Sequence, residues 1–382
     1  MKITDVITHR LVGATKDPFS NYMNSTAKDR VTVVVEIRTD EGITGWGESL
    51  VHGGQQGEVA IAYIDNYIKP RIIGRSPFDV EVIWEEIFHT TRPVGGGAAV
   101  NALSGVDVAL WDTIGRAVNK PIHQLIGGAF RTEIMPYATT FYRKEGKVYP
   151  QAFVDEAQEL IACGFRAFKL KLGYGVKKDT EYIYALREGI GDDMILACDA
   201  NCAYDVPATR QILMDTEAAK LHFFEEPLKS DDIEGYKMLR NLTRTSLACG
   251  ENLHGKYDFK RWIVDGAVDI IQPDICSSGG ITEVKKIAAM AQAFGVKVVP
   301  HVWGTGIGLS AALQVIASLP SSNMSTYVDE PMLEYDRSSH PFRDELILEK
   351  IKMENGLVSV PMGPGIGVSI NEDCIKEYEV KH

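Results

Sequence analysis

Six polar residues, Lys171, Asp199, Glu225, Glu251, Asp274 and His301, recur along the chain at intervals of 28, 26, 26, 23 and 27 residues, each closing a short, mostly apolar run. Asp199, Glu225 and Glu251 are carboxylates that would repel strongly if brought together without a cation. Hard oxygen ligands with vacant positions suit Mg2+. Any one of them alone reads as an ordinary loop acid; in register with one repeating unit they read as a metal site. Asn201 lies two residues past Asp199, on the same side of an extended chain, and can help line that site. Glu225 and Glu226 are adjacent and face opposite ways, and alternation alone does not say which faces inward.

Lys169 and Lys171 also share one side of a strand. Neighbouring ammonium groups disfavour each other's charge and burial adds to the effect, so a lysine with a lowered pKa, useful as a base, is expected there. The flanking Phe168, Leu170 and Leu172 argue against a solvated pair. Asp274 and His301 close successive runs, and a carboxylate on one imidazole nitrogen orients the ring and raises its basicity. Pro300 and Trp303 frame the histidine in a fixed loop. The glycine-rich stretches 277–280 and 304–308 match no phosphate-binding fingerprint and read as pocket walls.

The interval dictates the elements that position these groups. An apolar run of four to eight residues is a buried strand, and a strand, its helix and two loops take roughly 25 residues. Charged groups at the C-terminal ends of successive parallel strands converge on one face of a (β/α)8 barrel, where such enzymes carry their chemistry. Strands are predicted at 134–139, 166–172, 194–200, 221–226, 246–251, 268–273, 296–301 and 324–329, the eight that closure requires. Before them, residues 1–50 read as antiparallel β, with helical patterns over 57–70 and 78–90, a loop at Gly95-Gly96-Gly97 and a long helix from Asn101 to Arg116. The chain is therefore expected to comprise an α+β capping domain over 1–128, a catalytic barrel over 129–342, and a segment, 343–382, that packs back on the cap. His52 follows a cap strand and is a candidate for reaching the barrel mouth.

At 382 residues the chain exceeds a bare barrel, which needs about 250. With 45% hydrophobic and 24% charged residues it has the balance of a soluble globular protein. Its net charge of −12 argues against nucleic acid and anionic membrane as partners. A local cation can still admit an anionic substrate. The six cysteines are scattered, several in or beside predicted core strands, and read as reduced and buried, which implies a cytoplasmic protein. Cys198 and Cys202 have the spacing of a metal clip but no second pair accompanies them. The N-terminus lacks the apolar core of a signal peptide, and no apolar run approaches membrane-spanning length.

In this order, Lys169-Leu170-Lys171, Asp199-Ala200-Asn201, Glu225-Glu226-Pro227, Gly250-Glu251-Asn252, Asp274 and His301 resemble the mandelate racemase subgroup of the enolase superfamily. The run from Ala102 to Asp112 looks like that subgroup's signature helix, and the resemblance covers nearly the whole chain. Within the subgroup, Pro300–Gly306 and Glu330–Arg337 look most like galactarolactone cycloisomerases, although acid-sugar dehydratases share much of this pattern.

The resemblance implies a modified (β/α)7β TIM-like barrel under an α+β cap, with Mg2+ held by Asp199, Glu225 and Glu251. It implies a sugar acid or lactone whose carboxylate chelates the metal, removal of the proton α to that carboxylate, and an enediolate stabilised by the metal. Lys171 would be the base on one face, with His301, backed by Asp274, on the other, and Lys169 would help neutralise developing charge. An acid on the eighth strand would bind the substrate carboxylate. Glu334 is the candidate, but it lies 33 residues past His301, longer than the repeat, which keeps Glu330 as its rival. Cap loops near 15–28 and 50–54 would shape specificity, and a homo-oligomer is expected. The outcomes open to this chemistry are cycloisomerisation, dehydration and racemisation. A Schiff-base aldolase with Lys171 as nucleophile is a rival from another class, and a barrel that only binds sugar acids is a rival outside catalysis.

Overall fold

The computed structural model describes residues 1–20, 26–51, 57–91, 96–321 and 330–380. The chain opens with a three-stranded antiparallel sheet of β1 (Ile3–Ser20), β2 (Thr26–Thr39) and β3 (Thr44–Ser49). Its centre is β2, whose run Val33-Val34-Val35 is buried throughout, as β-branched residues on a pleated surface favour. Helices follow over Glu58–Ile72 (with a π turn at its centre), Val80–Thr91 and Ala98–Ala117. The last of these crosses β3 so closely that a Cβ added at Gly47 would fall on the Gly105 carbonyl. That approach is open only to glycine.

The opposite face of the same helix explains its polar residues. Ser104 Oγ accepts from Gly279 N at 2.8 Å, Asp107 Oδ2 accepts from Thr282 N at 3.0 Å, and Trp111 Nε1 donates to Thr282 Oγ1 at 2.9 Å. At spacings of three and four these side chains form one stripe, and the stripe docks onto the start of the helix Gly280–Ala293.

Eight parallel strands form one curled sheet in the order β11-β10-β9-β8-β7-β6-β5-β12. They are β5 (Pro136–Thr139), β6 (Ala167–Lys171), β7 (Ile195–Asp199), β8 (Phe223–Glu225), β9 (Ser246–Cys249), β10 (Ile270–Ile271), β11 (Lys297–Val298) and β12 (Leu333–Asp336). A helix follows each of the first seven, which is the (β/α)7β arrangement. Residues 134–139 do not form one strand: β4 (Glu133–Ile134) pairs instead with β14 (Leu357–Ser359), which pairs with β13 (Met353–Glu354). The predicted strand at 324–329 lies outside the described residues, and the eighth barrel position belongs to β12, whose Glu334 pairs with Tyr137 of β5. Leu333-Glu334-Tyr335-Asp336 escapes a search for apolar runs because its inward side chains are acids.

Inside the sheet, Tyr137, Ala167, Ala197, Phe223, Ala248, Ile270, Val299 and Met332 pack as one cluster, three alanines making room for larger neighbours. This is the layered filling of a barrel interior. Two residues further along the strands the inward positions become Thr139, Lys169, Asp199, Glu225, Gln272, His301 and Glu334. The apolar plug is thus the floor on which the polar groups stand.

Past the barrel, Ile366 N donates to Asp112 Oδ1 at 2.8 Å, and Val380 N donates to Arg10 O at 2.9 Å. None of the six cysteines is paired in a disulfide. Among the described residues no helix is long and apolar enough to cross a membrane.

One buried acid joins the N-terminal sheet to the barrel. Glu48 accepts from Thr32 Oγ1 at 2.8 Å, Thr305 N at 3.0 Å, Thr305 Oγ1 at 2.7 Å and Gly308 N at 3.0 Å. Two of these donors are amides at the start of the helix Gly306–Ala317. Glu48→Ala leaves them without a partner and is expected to cost about 3 kcal/mol, read as a lower urea midpoint; an unchanged midpoint would refute the joining role.

Candidate active site

Asp199 ends β7, Glu225 ends β8, and Glu251 lies two residues past β9. One oxygen from each lies within 4.8 Å of the others, and all three residues are buried. Glu225 Oε1 and Glu251 Oε2 are buried without a hydrogen-bond partner. Buried carboxylate oxygens with nothing to accept from are costly, and three such acids from adjacent strands are the donor set that a hard dication requires. Asn201 belongs to the same group: its Nδ2 donates to Glu251 Oε1 at 3.3 Å, and its backbone N donates to Asp199 Oδ1 at 2.8 Å.

Two lysines face this arc. Lys169, fully buried, reaches Glu225 Oε2 at 2.7 Å, Glu334 Oε1 at 2.6 Å and Asp199 Oδ2 at 3.7 Å. Lys171 donates to Asp199 Oδ2, and to Asn201 Oδ1 at 3.3 Å. The lowered lysine pKa expected from the pair is not what the site produces. Burial does oppose the charge of Lys169, but Glu225 and Glu334 outweigh it and the pKa is raised well above the ordinary value. Burial likewise opposes the charge of Lys171, and Asp199 and Tyr142 raise its pKa in spite of it. The mutual repulsion of two ammonium groups is smaller than the attraction of carboxylates arriving from four other strands.

At the other end of the arc, His301 Nδ1 is 2.7 Å from Asp274 Oδ2, and Asp274 Oδ1 accepts from Cys276 N at 2.7 Å. The anchored carboxylate leaves Nε2 as the ring nitrogen that faces the site, 3.5 Å from Glu251 Oε2. Burial lowers the pKa of His301, but Glu251, Glu334 and Asp274 prevail and bring it to about 10.

Glu334 stands beneath the site. Its Oε1 accepts from Thr139 Oγ1 at 2.7 Å and its Oε2 from Val302 N at 3.0 Å. Burial would raise its pKa, yet Lys169, His301 and Lys171 hold it down at about 2. Its rival Glu330 is 49% exposed and sits 3.5 Å from Arg131 Nε, away from these groups. His52 lies outside the described residues.

Three residues in contact with the site were not anticipated. Gln272 Nε2 donates to Glu225 Oε2 at 2.6 Å, Thr139 holds Glu334, and the Tyr137 ring lies 5.6 Å from Lys169 Nζ. Inward alternation within predicted strands 134–139 and 268–273 is the signal that could have found them. From the N-terminal sheet, Phe19 packs on Tyr142 with ring centroids 4.3 Å apart, and the Tyr142 ring lies 5.6 Å from Lys171 Nζ.

Comparison with known proteins agrees with this geometry. Residues 3–127 match the N-terminal domain model of the mandelate racemase / muconate lactonizing enzyme family, and residues 152–374 match its enolase C-terminal domain-like model. The chain is 38% identical to D-galactarolactone cycloisomerase from Agrobacterium fabrum over 383 residues, covering 100% of this chain and 99% of that protein. It is 32% identical to arabinonate dehydratase from Saccharolobus solfataricus, with 91% of each covered. The solved 3,6-anhydro-D-galactonate cycloisomerase from Zobellia galactanivorans superposes with a TM-score of 0.89 at 37% identity, covering 100% of both chains. Fold, motifs and full-length similarity agree: the chain belongs to the mandelate racemase subgroup of the enolase superfamily.

Proposed function

We propose that this chain is a Mg2+-dependent enzyme that removes the α-proton of a sugar-acid carboxylate and cycloisomerises a sugar-acid lactone or anhydro sugar acid. The observation that carries this reading is the placement of Lys171 and His301 at the two ends of the Asp199–Glu225–Glu251 arc. The names of two full-length relatives, both cycloisomerases of galactose-derived acids, support the reaction type.

Mg2+ held by Asp199, Glu225 and Glu251 would supply Lewis-acid stabilisation of charge on the substrate carboxylate. Lys169, kept as an ammonium by Glu225 and Glu334, sits where it can offset that charge. Lys171 takes the α-proton once the arc is neutralised and Asp199 no longer claims its charge. His301, aligned by Asp274, delivers a proton to the departing ring oxygen. The Cα–H bond and the Cβ–O bond break, an O–H bond forms on the departing oxygen, and the resulting enol of a 2-oxo acid ketonises with no change in composition. Glu334 takes the place of the acid on the eighth strand, and Asn201 lines the pocket. Six free cysteines suit a reducing cytoplasm. Dehydration is the second reading, favoured by the similarity to arabinonate dehydratase; it differs in expelling a hydroxyl, lost as water.

The test is incubation of the Mg2+-loaded protein in D2O with D-galactarolactone, 3,6-anhydro-D-galactonate, galactonate and arabinonate, followed by proton NMR and mass spectrometry. Loss of an α-proton signal with a product isomeric with its substrate is expected; a product lighter by one water would select dehydration. No exchange with any of the four would refute the reading.

Asp274→Asn tests the histidine's part. Without the carboxylate, imidazole orientation and basicity both weaken, and turnover is expected to fall about 100-fold. Lys171-dependent α-proton exchange into D2O should persist. Exchange and turnover falling together would assign proton abstraction to His301 instead.

A further inference from the structure

Each carboxylate of the arc is followed within three residues by a polar side chain, and these side chains meet. Cys202 follows Asp199, Glu226 follows Glu225 and Asn252 follows Glu251. Glu226 is 1% exposed, and its two oxygens each accept from Asn252 Nδ2 at 2.9 Å. The Cys202 thiol adds a third contact, 3.3 Å from Glu226 Oε2. The backbone repeats the connection: Cys202 N donates to Glu226 O at 2.7 Å, Ala200 N to Glu225 O at 3.0 Å, and Glu226 N to Ala248 O at 3.0 Å. Asn201, Cys202 and Glu226 adopt φ of 43°, 64° and 38°. Residues with side chains stay in that left-handed region only where their surroundings hold them.

One acid therefore ties together the segments that follow all three members of the arc. It plays no part in the proton transfers above, since its side-chain partners are Asn252 and Cys202 rather than either base. Three mutually repelling carboxylates need a restraint on their separation as well as a counter-charge. Lys169 and Lys171 provide counter-charge from inside, and Glu226 provides a brace from outside. We propose that Glu226 is a positioning residue for the divalent cation, bracing the loops after β7 and β9 against β8 so that Asp199, Glu225 and Glu251 are spaced before the ion arrives. This rests on the reading of those three residues as the cation site.

Isothermal titration of Mg2+ into the full-length protein tests it without reference to turnover. Glu226→Ala and Asn252→Ala are expected to weaken Mg2+ binding by about 10- to 100-fold, the range over which residues behind metal ligands act. Glu226→Gln keeps an acceptor for Asn252 and should restore affinity to within about three-fold of the wild type. The proposal is overturned if folded Glu226→Ala binds Mg2+ within roughly two-fold of the wild type, or if Glu226→Gln is as weak as Glu226→Ala. Should Glu226→Ala not fold, Asn252→Ala and Cys202→Ala decide, and unchanged affinity in both overturns it. A wild type that binds no Mg2+ removes the cation-site reading itself, whereas a wild type that binds while the variants match it removes only the brace.

Discussion

Lys171→Ala is expected to lower turnover by about 10³- to 10⁴-fold and to abolish α-proton exchange into D2O, with the fold retained. Lys171 is 7% exposed and ends β6, its nitrogen between Asp199 and Asn201. Among the described residues, the other basic groups at this rim are Lys169, locked among Glu225, Glu334 and Asp199, and His301 across the arc. Neither can stand in for it without moving. Structure should survive because its strand neighbours Phe168 and Leu170 are fully buried and untouched. With Mg2+ on the arc, Asp199 also keeps a counter-charge. Lys171→Arg sharpens the test: it preserves the charge beside Asp199 but cannot give up a proton near neutral pH, so it too should be inactive. Activity within a few-fold of the wild type in either variant, with circular dichroism unchanged, would remove Lys171 from the chemistry. Borohydride inactivation in the presence of a carbonyl substrate would favour the Schiff-base alternative.

What could be read from the chain and what could not divide along one physical line. Inward positions recur every second residue, so Ala167, Lys169 and Lys171 belong to one face, as do Ala197 and Asp199, and Phe223 and Glu225. Local order alone therefore delivers the strands, their direction and the rim on which the polar groups gather. The eighth strand escapes a search for apolar runs for the same reason the site exists. Glu334 and Asp336 occupy its inward positions, so it carries no apolar signature, and Glu334 finds its partners, Lys169 and Thr139, only through closure of the sheet. The sign of the lysine pKa shift was likewise out of reach. Two lysines on one strand announce their mutual repulsion in the sequence, whereas Asp199, Glu225, Glu251 and Glu334 come from β7, β8, β9 and β12 and outweigh it only once assembled. Glu226 shows the limit of alternation: facing away from Glu225 does not make it idle, because left-handed backbone at Asn201 and Cys202 brings a neighbouring loop down upon it.

Removal of the metal should silence the enzyme as completely as removal of the base. Without a dication, the arc draws its counter-charge from Lys171, paired to Asp199, and from Lys169, paired to Glu225 and Glu334. A lysine serving as a counter-ion is held protonated, since Asp199 raises the pKa of Lys171 against its burial, and it cannot accept a proton from substrate. Chelation is therefore expected to abolish turnover, and added Mg2+ to restore it. The ion should also stabilise the fold, by about 2.7 kcal/mol at 100 times its Kd, visible as a Tm that climbs with Mg2+ concentration. Glu225→Gln separates these effects. It removes one carboxylate and the ion pair to Lys169, so the ion-free protein should lose little stability to arc repulsion while Mg2+ binds at least about 10-fold more weakly and raises Tm less. If chelator-treated wild type turns over at its normal rate, or if Glu225→Gln gains as much Tm from Mg2+ as the wild type does, the arc is not the cation site. The buried oxygens of Glu225 and Glu251 that accept no hydrogen bond would then need another explanation.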